Sequence, residues 1–411
     1  MEEYKINEER LWNSLMDLAQ IGALPEKQGV TRLSLSEADL EGRKFLIQLM
    51  KDCGLHVRID KVGNIIGKLE GCDNQAPIVM TGSHIDTVYE GGKFDGTLGV
   101  LGALEAVRTI KEKEIRLTHS IEVVSFTDEE GTRFGTGYIG SKGMVGKLDE
   151  SYFRLQDDLG TSYEEAFLQA NLNPSEFEKA RKQRGQIKAF IEMHIEQGKV
   201  LEDHDVPIGI VTNIQGPIWL EVAIQGSADH AGATPMNIRN DASLAMAEIM
   251  LQVESIAKEF DGVGTVGKLK VEPGGVNIIP GKAVFTIDLR HGDIVIRSKM
   301  VEKMYEAVEV ACRKRGAKAT IEVKKDVAPA KCSDELIKVL VKSCSEAKVV
   351  PYKLPCGAGH DSLLLSEITD IAMIFVRSKH GISHNPKEWS SKEDCAKGTQ
   401  VLLQTLLHLA K

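Results

Sequence analysis

The sequence contains no long apolar run and no paired cysteine motif. None of its apolar segments approaches the length that crosses a bilayer, and the first residues lack the apolar core of a secretory signal peptide. Its seven cysteines are scattered without a C-x-x-C pair, which argues against a zinc-finger framework and for reduced thiols. We therefore expect a cytoplasmic protein with no membrane partner.

A tract of basic residues is also lacking. The 411 residues include 51 Lys and Arg against 60 Asp and Glu, which gives a formal net charge of −9 at pH 7. Because nucleic-acid binding depends on neutralising phosphates, this balance argues against nucleic acid as a partner. The hydrophobic fraction of 42% is ordinary for a globular protein, and the length suffices for two or more domains.

Apolar strands alternate with amphipathic helices in the first half of the chain. Helices are predicted near residues 7–20, 36–53, 99–107 and 160–185, and strands near 56–60, 64–69, 77–80, 120–126 and 187–193. This alternation predicts an α/β fold with a mainly parallel sheet. Ligands of such sheets gather at the carboxyl ends of the strands.

The pattern changes after about Asn213. Strands near 219–225, 266–271, 283–290 and 319–323, with long helices near 241–260 and 295–315, follow in β-α-β-β-α-β order, which is typical of a ferredoxin-like domain. The α/β pattern then resumes with a helix at 333–346, a strand at 371–376 and a helix at 391–409. We predict a catalytic domain made of residues 1–213 and 330–411, with a smaller α+β domain inserted at 214–329.

One stretch joins a predicted buried strand to a helix and is rich in metal-binding residue types, namely Thr81-Gly-Ser-His84-Ile-Asp86-Thr-Val-Tyr-Glu-Gly-Gly-Lys-Phe-Asp95-Gly96. His84 and Asp86 share one face of an extended segment, so the carboxylate can fix the tautomer of a metal-binding imidazole. Histidine together with carboxylates suits Zn²⁺ or Mn²⁺. Taken alone, this stretch also fits a structural histidine followed by a solvated turn.

Further polar residues follow predicted strands or lie in the last long loop. Glu129 and Glu130 follow one strand, His194 follows another, and His384 lies before the final helix. Singly, they fit a solvated acidic turn, a core histidine and a loop histidine. Adjacent carboxylates repel each other unless a cation or a proton relieves them, so one glutamate can bind metal while the other acts as a base. The spacing leaves open which glutamate has which role.

The order H-x-D, D-G, E-E-G, H, H resembles the dinuclear-metal M20-type peptidase and amidohydrolase superfamily. Several segments are similar to its branch of N-carbamoyl-L-amino-acid hydrolases, β-ureidopropionases and allantoate amidohydrolases. These segments are Thr81-Gly-Ser-His-Ile-Asp-Thr87, Phe126-Thr-Asp-Glu-Glu-Gly-Thr-Arg-Phe134, Met193-His-Ile-Glu-Gln-Gly198, Ala228-Asp-His-Ala-Gly-Ala-Thr-Pro-Met236, Gly275-Val-Asn-Ile-Ile-Pro280, Ile287-Asp-Leu-Arg290 and Gly357-Ala-Gly-His-Asp361. The set indicates the branch and does not single out one member.

The resemblance implies two divalent metal ions per subunit, Zn²⁺ or Mn²⁺, with Co²⁺ or Ni²⁺ also fitting. In this interpretation His84 and His194 bind one ion, and Glu130 and His384 bind the other. Asp95 bridges the two ions. The remaining implied roles are that Asp86 orients His84 and that Glu129 is the general base.

The predicted insert contains residues that match substrate-contacting positions of the family, namely His230, Asn277 and Arg290. Arg290 suits a substrate carboxylate, and His230 and Asn277 can donate hydrogen bonds to a developing oxyanion. Gln215 and Gly359 are weaker candidates. Arg290 also fits a surface salt bridge, and Asn277 also fits a turn cap. The resemblance further implies a homodimer formed through the insert, in which His230, Asn277 and Arg290 reach the partner subunit's metal site.

We therefore predict a two-metal amidohydrolase that cleaves the ureido C–N bond of a small carboxylated substrate. An N-carbamoyl-L-amino acid is the preferred substrate, and allantoate is the second candidate. The alternatives are an M20-type peptidase and a metal-containing binding protein with a degenerate site. A G-x-G-x-x-G match at Gly135–Gly140 does not directly follow a strand, and no G-x-S-x-G motif is present, which argues against nucleotide binding and a serine hydrolase.

Overall fold

The computed structural model describes residues 4–24, 26 and 29–411, and its contacts divide the chain into two compact units. The first unit comprises the described residues up to Thr212 together with Cys332–Lys411, and the second is Asn213–Lys331. None of the helices in these described ranges is long and apolar enough to cross a membrane.

The helices start at polar caps and bury one apolar side. In the first helix, Asn7 accepts a hydrogen bond from the N–H of Arg10, and Leu11, Leu15 and Leu18 are buried at helical spacing. The helices are α1 (Glu8–Leu18), α2 (Glu37–Asp52), α3 (Thr97–Glu112), α4 (Ile139–Val145), α5 (Tyr163–Gln169), α6 (Val200–Asp203), α7 (Ala242–Glu259), α8 (Ile294–Lys314), α9 (Asp334–Glu346), α10 (Asp361–Leu365) and α11 (Lys392–Ala410).

The strands form one large sheet in the first unit and a smaller one in the second, besides a two-stranded ribbon near the N-terminus. They are β1 (Ala23–Leu24), β2 (Gly29–Val30), β3 (His56–Ile59), β4 (Ile65–Leu69), β5 (Ile78–His84), β6 (Ile121–Phe126), β7 (Ile187–Ile195), β8 (Ile208–Ile214), β9 (Gly216–Gln225), β10 (Val263–Glu272), β11 (Lys282–His291), β12 (Lys318–Asp326), β13 (Ala330–Lys331), β14 (Tyr352–Cys356) and β15 (Ile371–Val376).

The large sheet has the order β13-β8-β15-β7-β5-β6-β4-β3, with β14 beside β8. The central strands β15, β7, β5 and β6 are parallel, whereas β8, β4 and β3 pair antiparallel at the sides. The predicted α/β class is therefore confirmed, with the refinement that the sheet is mixed and parallel only in its centre. Three strands of the large sheet, β8, the two-residue β13 and β14, were absent from the sequence prediction. Strand β14 contains Pro355, which has no N–H to donate to a sheet and weakens the local strand signal.

The register of the parallel strands brings polar residues to one end of the sheet. His84 lies opposite Phe126 in the β5–β6 pair, so the segment after Phe126 emerges beside His84. In the β7–β15 pair, His194 lies opposite Phe375. The strand ends that bear the candidate ligands are thus neighbours in the same sheet.

Helix α3 packs closely on this sheet because two of its residues have no side chain. A Cβ on Gly99 would lie 2.2 Å from the carbonyl oxygen of Met193, and one on Gly102 would lie 2.2 Å from the Met193 Cε. The close approach fixes the start of α3, and hence the segment before it, against β7. Each fully buried leucine or valine of such a core contributes about 1.5–3 kcal/mol relative to exposure.

The second unit has the predicted β-α-β-β-α-β order, with an antiparallel sheet in the order β10-β11-β9-β12. Strands β9 and β11 alternate buried and more exposed residues, as expected for a sheet with one covered face. Helices α7 and α8 supply buried residues such as Ile249 and Met300 to the same core. The sequence prediction of an inserted α+β domain is therefore confirmed.

Candidate active site

Six candidate ligand or base residues from five segments converge at the end of the central strands in the first unit. Their donor atoms form three groups, and within each group the atoms lie within 4.8 Å of one another. The groups are His84 with Asp95 and His194, His84 with Glu129 and Glu130, and Asp95 with Glu130 and His384. Imidazole and carboxylate donors at this spacing fit a divalent metal site.

The carboxylate of Asp95 lies at the centre, and its two oxygens face different histidines. Oδ1 is 3.0 Å from His194 Nε2 and 3.6 Å from His84 Nε2. Oδ2 is 3.1 Å from His384 Nε2, which is itself 3.4 Å from Glu130 Oε1. A carboxylate with this geometry can bind one cation through each oxygen.

Main-chain contacts fix the orientation of two of the imidazoles. His84 Nδ1 donates to the carbonyl oxygen of Asp86 at 3.0 Å, and His194 Nδ1 donates to that of Ile195 at 2.9 Å. Because a carbonyl oxygen only accepts hydrogen bonds, the proton of the neutral ring lies on Nδ1 in each case. The Nε2 lone pairs are then directed at the Asp95 carboxylate, where a metal ion would lie.

The site holds more buried acid than can ionise without a cation. Burial and the neighbouring Glu130 and Asp361 carboxylates raise the pKa of Glu129 well above its usual value, and burial with Asp95 does the same for Glu130. The pKa of Asp95, in contrast, is held well below its usual value by hydrogen bonds from His194 and His384 that outweigh burial. A divalent cation would relieve the repulsion between these carboxylates.

The histidines respond to the same environment in opposite directions. Burial lowers the pKa of His84 to about 4. Burial also opposes the charged form of His194, but its hydrogen bond with Asp95 raises that pKa to about 9. Burial thus favours the neutral form of His84, which a metal ligand needs, whereas the Asp95 carboxylate favours the charged form of His194 and so competes with metal binding there.

Asp86 lies beside His84, but the contact differs from the expected one. Its carboxylate Oδ1 is 3.7 Å from His84 Nδ1, beyond hydrogen-bond distance, whereas its main-chain carbonyl makes the bond. The carboxylate instead accepts the main-chain N–H groups of Glu129 at 3.3 Å and Glu130 at 3.2 Å. Asp86 thus connects the His84 segment to the two glutamates.

Two of the predicted substrate-contacting residues lie together in the second unit. The N–H of Ala231 donates to the carbonyl oxygen of Asn277 at 2.8 Å, and His230 pairs with Ile278. His230 is exposed, and its Nδ1 accepts the N–H groups of Gly232 and Ala233, each at 3.1 Å. The Nε2 of the neutral ring therefore bears the proton and is available as a donor.

Arg290 lies at the other end of the same small sheet, and Gln215 directly precedes the first residue of β9 there. Arg290 pairs with Pro217 near the start of β9, whereas the His230 loop follows the end of β9 at Gln225, which pairs with Lys282. Eight residue steps separate Lys282 from Arg290, or roughly 26 Å along an extended strand. Within one chain, the structure does not bring Arg290 together with His230.

Neither Arg290 nor Gln215 lies on an open surface: Arg290 is ion-paired and Gln215 is buried. The Arg290 guanidinium is paired with the Asp288 carboxylate, with Nη2 2.7 Å from Oδ2 and Nε 3.1 Å from Oδ1. Gln215 is buried, and its Oε1 has no hydrogen-bond partner among the described residues. A salt bridge is the alternative role that the sequence allows for Arg290, and the structure contains that salt bridge. The guanidinium has five N–H groups, so this pair does not exclude a further bond to a substrate.

Gly359 lies in the first unit, in a loop next to the candidate ligands. The ring of the adjacent His360 is 4.3 Å from that of His194. A Cβ on Gly359 would lie 2.2 Å from the Tyr138 hydroxyl, so the loop approaches this tyrosine more closely than another residue would allow. Its position is compatible with a contact between its main chain and a bound substrate.

The structure adds three residues that the sequence reasoning missed. Gln197 Nε2 donates to Asp95 Oδ2 at 2.9 Å, and Ser383 Oγ lies 2.9 Å from the same oxygen. Glu388 accepts the main-chain N–H of Asp95 at 3.0 Å. The only available signal was proximity in sequence, because Gln197 lies in the same motif as His194, and Ser383 and Glu388 lie on either side of His384.

Residues 80–408 match peptidase family M20/M25/M40. The chain is 44% identical over 407 residues to an N-carbamoyl-L-amino acid amidohydrolase of Geobacillus stearothermophilus, with 99% of each covered. It is 34% identical over 419 residues to an allantoate amidohydrolase of Bacillus subtilis, with 100% of each covered. A solved amidase of the hydantoinase/carbamoylase family from Burkholderia multivorans superposes with a TM-score of 0.93 at 33% identity, covering 99% of this chain and 98% of that one.

Proposed function

The chain belongs to peptidase family M20/M25/M40, and from this premise we propose that it is a metal-dependent amidohydrolase acting on N-carbamoyl-L-amino acids. The reaction adds water to the carbamoyl carbon and breaks its bond to the amino acid nitrogen, giving the amino acid, ammonia and carbon dioxide. The observation that supports this most directly is the Asp95 carboxylate, with each oxygen facing a different histidine.

We propose two divalent ions per subunit, Zn²⁺ or Mn²⁺. His84 and His194 would hold one, Glu130 and His384 the other, and Asp95 both. The donor types and two of the three atom groups, His84 with Asp95 and His194 and Asp95 with Glu130 and His384, support this assignment. Bound ions of this kind lower the pKa of a bound water and polarise a carbonyl group.

Glu129 is the proposed general base. Its Oε2 lies 3.7 Å from His84 Nε2, so it borders the space between the proposed ligands. Its pKa is raised by burial, which suits a group that takes a proton from water and passes it to the leaving nitrogen. Asp86, which accepts the N–H of Glu129, holds this carboxylate in place.

The substrate contacts require residues from both ends of the insert. His230 presents an Nε2–H and lies with Asn277, whereas Arg290 lies at the opposite end of β11. Because His230 and Arg290 lie at opposite ends of the same sheet, one insert does not bring both side chains to one substrate. We therefore propose a homodimer in which His230 and Asn277 come from one subunit and Arg290 from the other. This revises the expectation that all three act from the same subunit.

Arg290 is proposed to bind the substrate carboxylate, and His230 and Asn277 are proposed to stabilise the oxyanion formed on the carbamoyl group. Gln215 and Gly359 remain weaker proposals for substrate contacts. Exclusion of water from the site would strengthen each of these hydrogen bonds.

Allantoate is the alternative substrate, since a relative at 34% identity is an allantoate amidohydrolase and allantoate is also a ureido acid. A parallel assay separates the candidates. After reconstitution with Zn²⁺ or Mn²⁺, ammonia release is measured from N-carbamoyl-L-amino acids, N-carbamoyl-β-alanine and allantoate, and amine release from a dipeptide. Preference for N-carbamoyl-L-amino acids is expected. Cleavage of the dipeptide alone would overturn the proposal in favour of a peptidase.

A further inference from the structure

A buried carboxylate beside the proposed metal site has no role in the mechanism described above. Glu388 lies four residues after His384 and is only 2% exposed. Its Oε1 accepts two main-chain N–H groups, those of Phe94 at 2.9 Å and Asp95 at 3.0 Å. The carboxylate therefore holds the backbone at the residue whose side chain lies at the centre of the site.

The second oxygen of Glu388 reaches the side chain of Asp95 through one intermediate. Glu388 Oε2 lies 3.0 Å from Ser383 Oγ, which in turn lies 2.9 Å from Asp95 Oδ2. That oxygen of Asp95 is the one that faces His384 at 3.1 Å. The Ser383 hydroxyl has one proton, which it can donate to only one of the two carboxylates at a time, and its oxygen lies between them. Glu388 is thus connected to Asp95 directly at the main chain and, at the carboxylate, by this shared hydroxyl.

The surroundings of Glu388 fit this carboxylate closely. A Cβ on Gly92 would lie 2.0 Å from Glu388 Cδ. The loop before Asp95 can therefore contact the carboxylate only because residue 92 has no side chain. The next residue, Trp389, packs edge-on against Phe94 with ring centroids 5.5 Å apart. This contact joins the residue after Glu388 to the residue before Asp95, so it limits how far the two segments can shift relative to each other.

We propose that Glu388 is a positioning residue that fixes Asp95 in the orientation that presents one carboxylate oxygen to each proposed metal ion. The inference rests on the metal site proposed above. Without the acceptor at position 388, the N–H groups of Phe94 and Asp95 would be buried without partners, and the Asp95 loop would relax to satisfy them. Partners of metal ligands typically change metal affinity by about 10- to 100-fold when removed.

The test compares substitutions of similar size that keep or remove the hydrogen bonds. Glu388→Gln keeps Oε1 as an acceptor, and its amide can donate to Ser383, which retains its own proton for Asp95. Glu388→Met fills a similar volume without an acceptor. Glu393→Met is the control, because Glu393 is exposed and pairs only with Lys397 among the contacts described for the final helix.

The measurement is the affinity of the folded, metal-free proteins for Zn²⁺, by competition with a chromogenic chelator, together with the visible spectrum after Co²⁺ substitution. No substrate is used. We expect Glu388→Met to bind about 10- to 100-fold more weakly with an altered Co²⁺ spectrum. Glu388→Gln should recover the affinity and the spectrum of the unsubstituted protein, and Glu393→Met should match it throughout.

The outcomes separate this inference from the proposed function. If the unsubstituted protein binds no divalent ion, the metal site itself fails. If it binds ions and Glu388→Met binds them equally with the same spectrum, the positioning role is overturned while the metal site stands. A Glu388→Gln protein as weak as Glu388→Met would show that charge matters instead of hydrogen bonding, and would also overturn the proposal.

Should Glu388→Met fail to fold, Ser383→Ala provides the second variant. It leaves the bonds between Glu388 and the main chain intact and removes the link to Asp95 Oδ2. A weaker affinity with a changed Co²⁺ spectrum is expected. Unchanged values would overturn the proposed connection to the Asp95 carboxylate, and the proposal with it.

Discussion

His84 is held by the main-chain carbonyl of Asp86, 3.0 Å from its Nδ1, while the Asp86 carboxylate lies 3.7 Å away. The carboxylate is thereby left to accept the N–H groups of Glu129 and Glu130. One residue thus fixes the ring of a proposed ligand through its main chain and the two glutamates through its side chain.

This division of roles predicts the effect of Asp86→Ala. The substitution keeps the carbonyl that orients His84 but removes the acceptor for both glutamate N–H groups. We expect kcat to fall by about 10- to 100-fold while His84 still binds metal. Asp86→Asn, which keeps one oxygen acceptor, should fall less. Steady-state kinetics and metal analysis check this, and an Asp86→Ala protein with full activity would contradict it.

Glu129→Gln is expected to retain metal and lose turnover. The amide cannot accept the proton from water, and general-base catalysis contributes typically about 10²- to 10⁴-fold. Metal content, measured on the same sample as the ammonia release, should equal that of the unsubstituted protein. Substantial residual activity would refute the assignment of Glu129 as base and would leave Glu130 as the candidate.

Gly96→Ala should impair metal binding through His84. Gly96 has φ of 63°, and a Cβ there would lie 2.5 Å from His84 Nε2. Gly160→Ala is the matched control, because Gly160 has φ of 82° and nothing lies within 4 Å of its Cβ position. Both substitutions place a Cβ at positive φ and cost about 1–3 kcal/mol of backbone strain, visible as a lower Tm. The cost is larger at Gly96, whose ψ of −46° lies outside the left-handed helical region.

Only Gly96→Ala should also weaken the binding of Zn²⁺, because only there does the new methyl group meet a proposed ligand. The competition assay with a chromogenic chelator distinguishes the two variants. Equal Zn²⁺ affinity in both would mean that His84 Nε2 does not bind metal.

Arg290→Ala tests whether this residue is more than the partner of Asp288. If Arg290 binds the substrate carboxylate, the loss of a charged hydrogen bond of about 1.5–3 kcal/mol should lower kcat/KM by about 10- to 150-fold. Asp288→Asn breaks the same ion pair but keeps the guanidinium, so it should have a much smaller effect. Equal losses in both variants would indicate a structural salt bridge.

Mixing two inactive variants tests the proposed sharing of sites in a homodimer. Consider a heterodimer of a Glu129→Gln subunit and a His230→Ala subunit. If His230 acts on the metal site of the partner subunit, both substitutions fall in one of the two composite sites. The other site would then be intact, so partial activity should return, up to about half of that in the unsubstituted dimer for each heterodimer formed. Subunit exchange is verified with differently tagged chains. Exchange without recovered activity would count against contributions from two subunits.

Most of the proposed ligands were predictable from local sequence. His84 and His194 lie at the ends of apolar segments that form parallel strands, and the order of strands and helices predicts that such ends meet. The alternation of β9 and β11 and the periodicity of α7 and α8 likewise predicted the inserted domain. Strand β14 was missed because it is short and contains Pro355, and pairing with β8 decides its conformation.

The sequence by itself determined the residue types of the site and the segments that bear them, because burial and periodicity act over a few residues. Only the tertiary structure decided which atoms make the contacts. Glu388 bonds to Asp95 across a separation of 293 residues, and Asp86 uses its carbonyl where its carboxylate was expected. The separation of Arg290 from His230 follows from the register of β9 with β11. Long-range packing and strand register fix such relationships, and no local pattern encodes them.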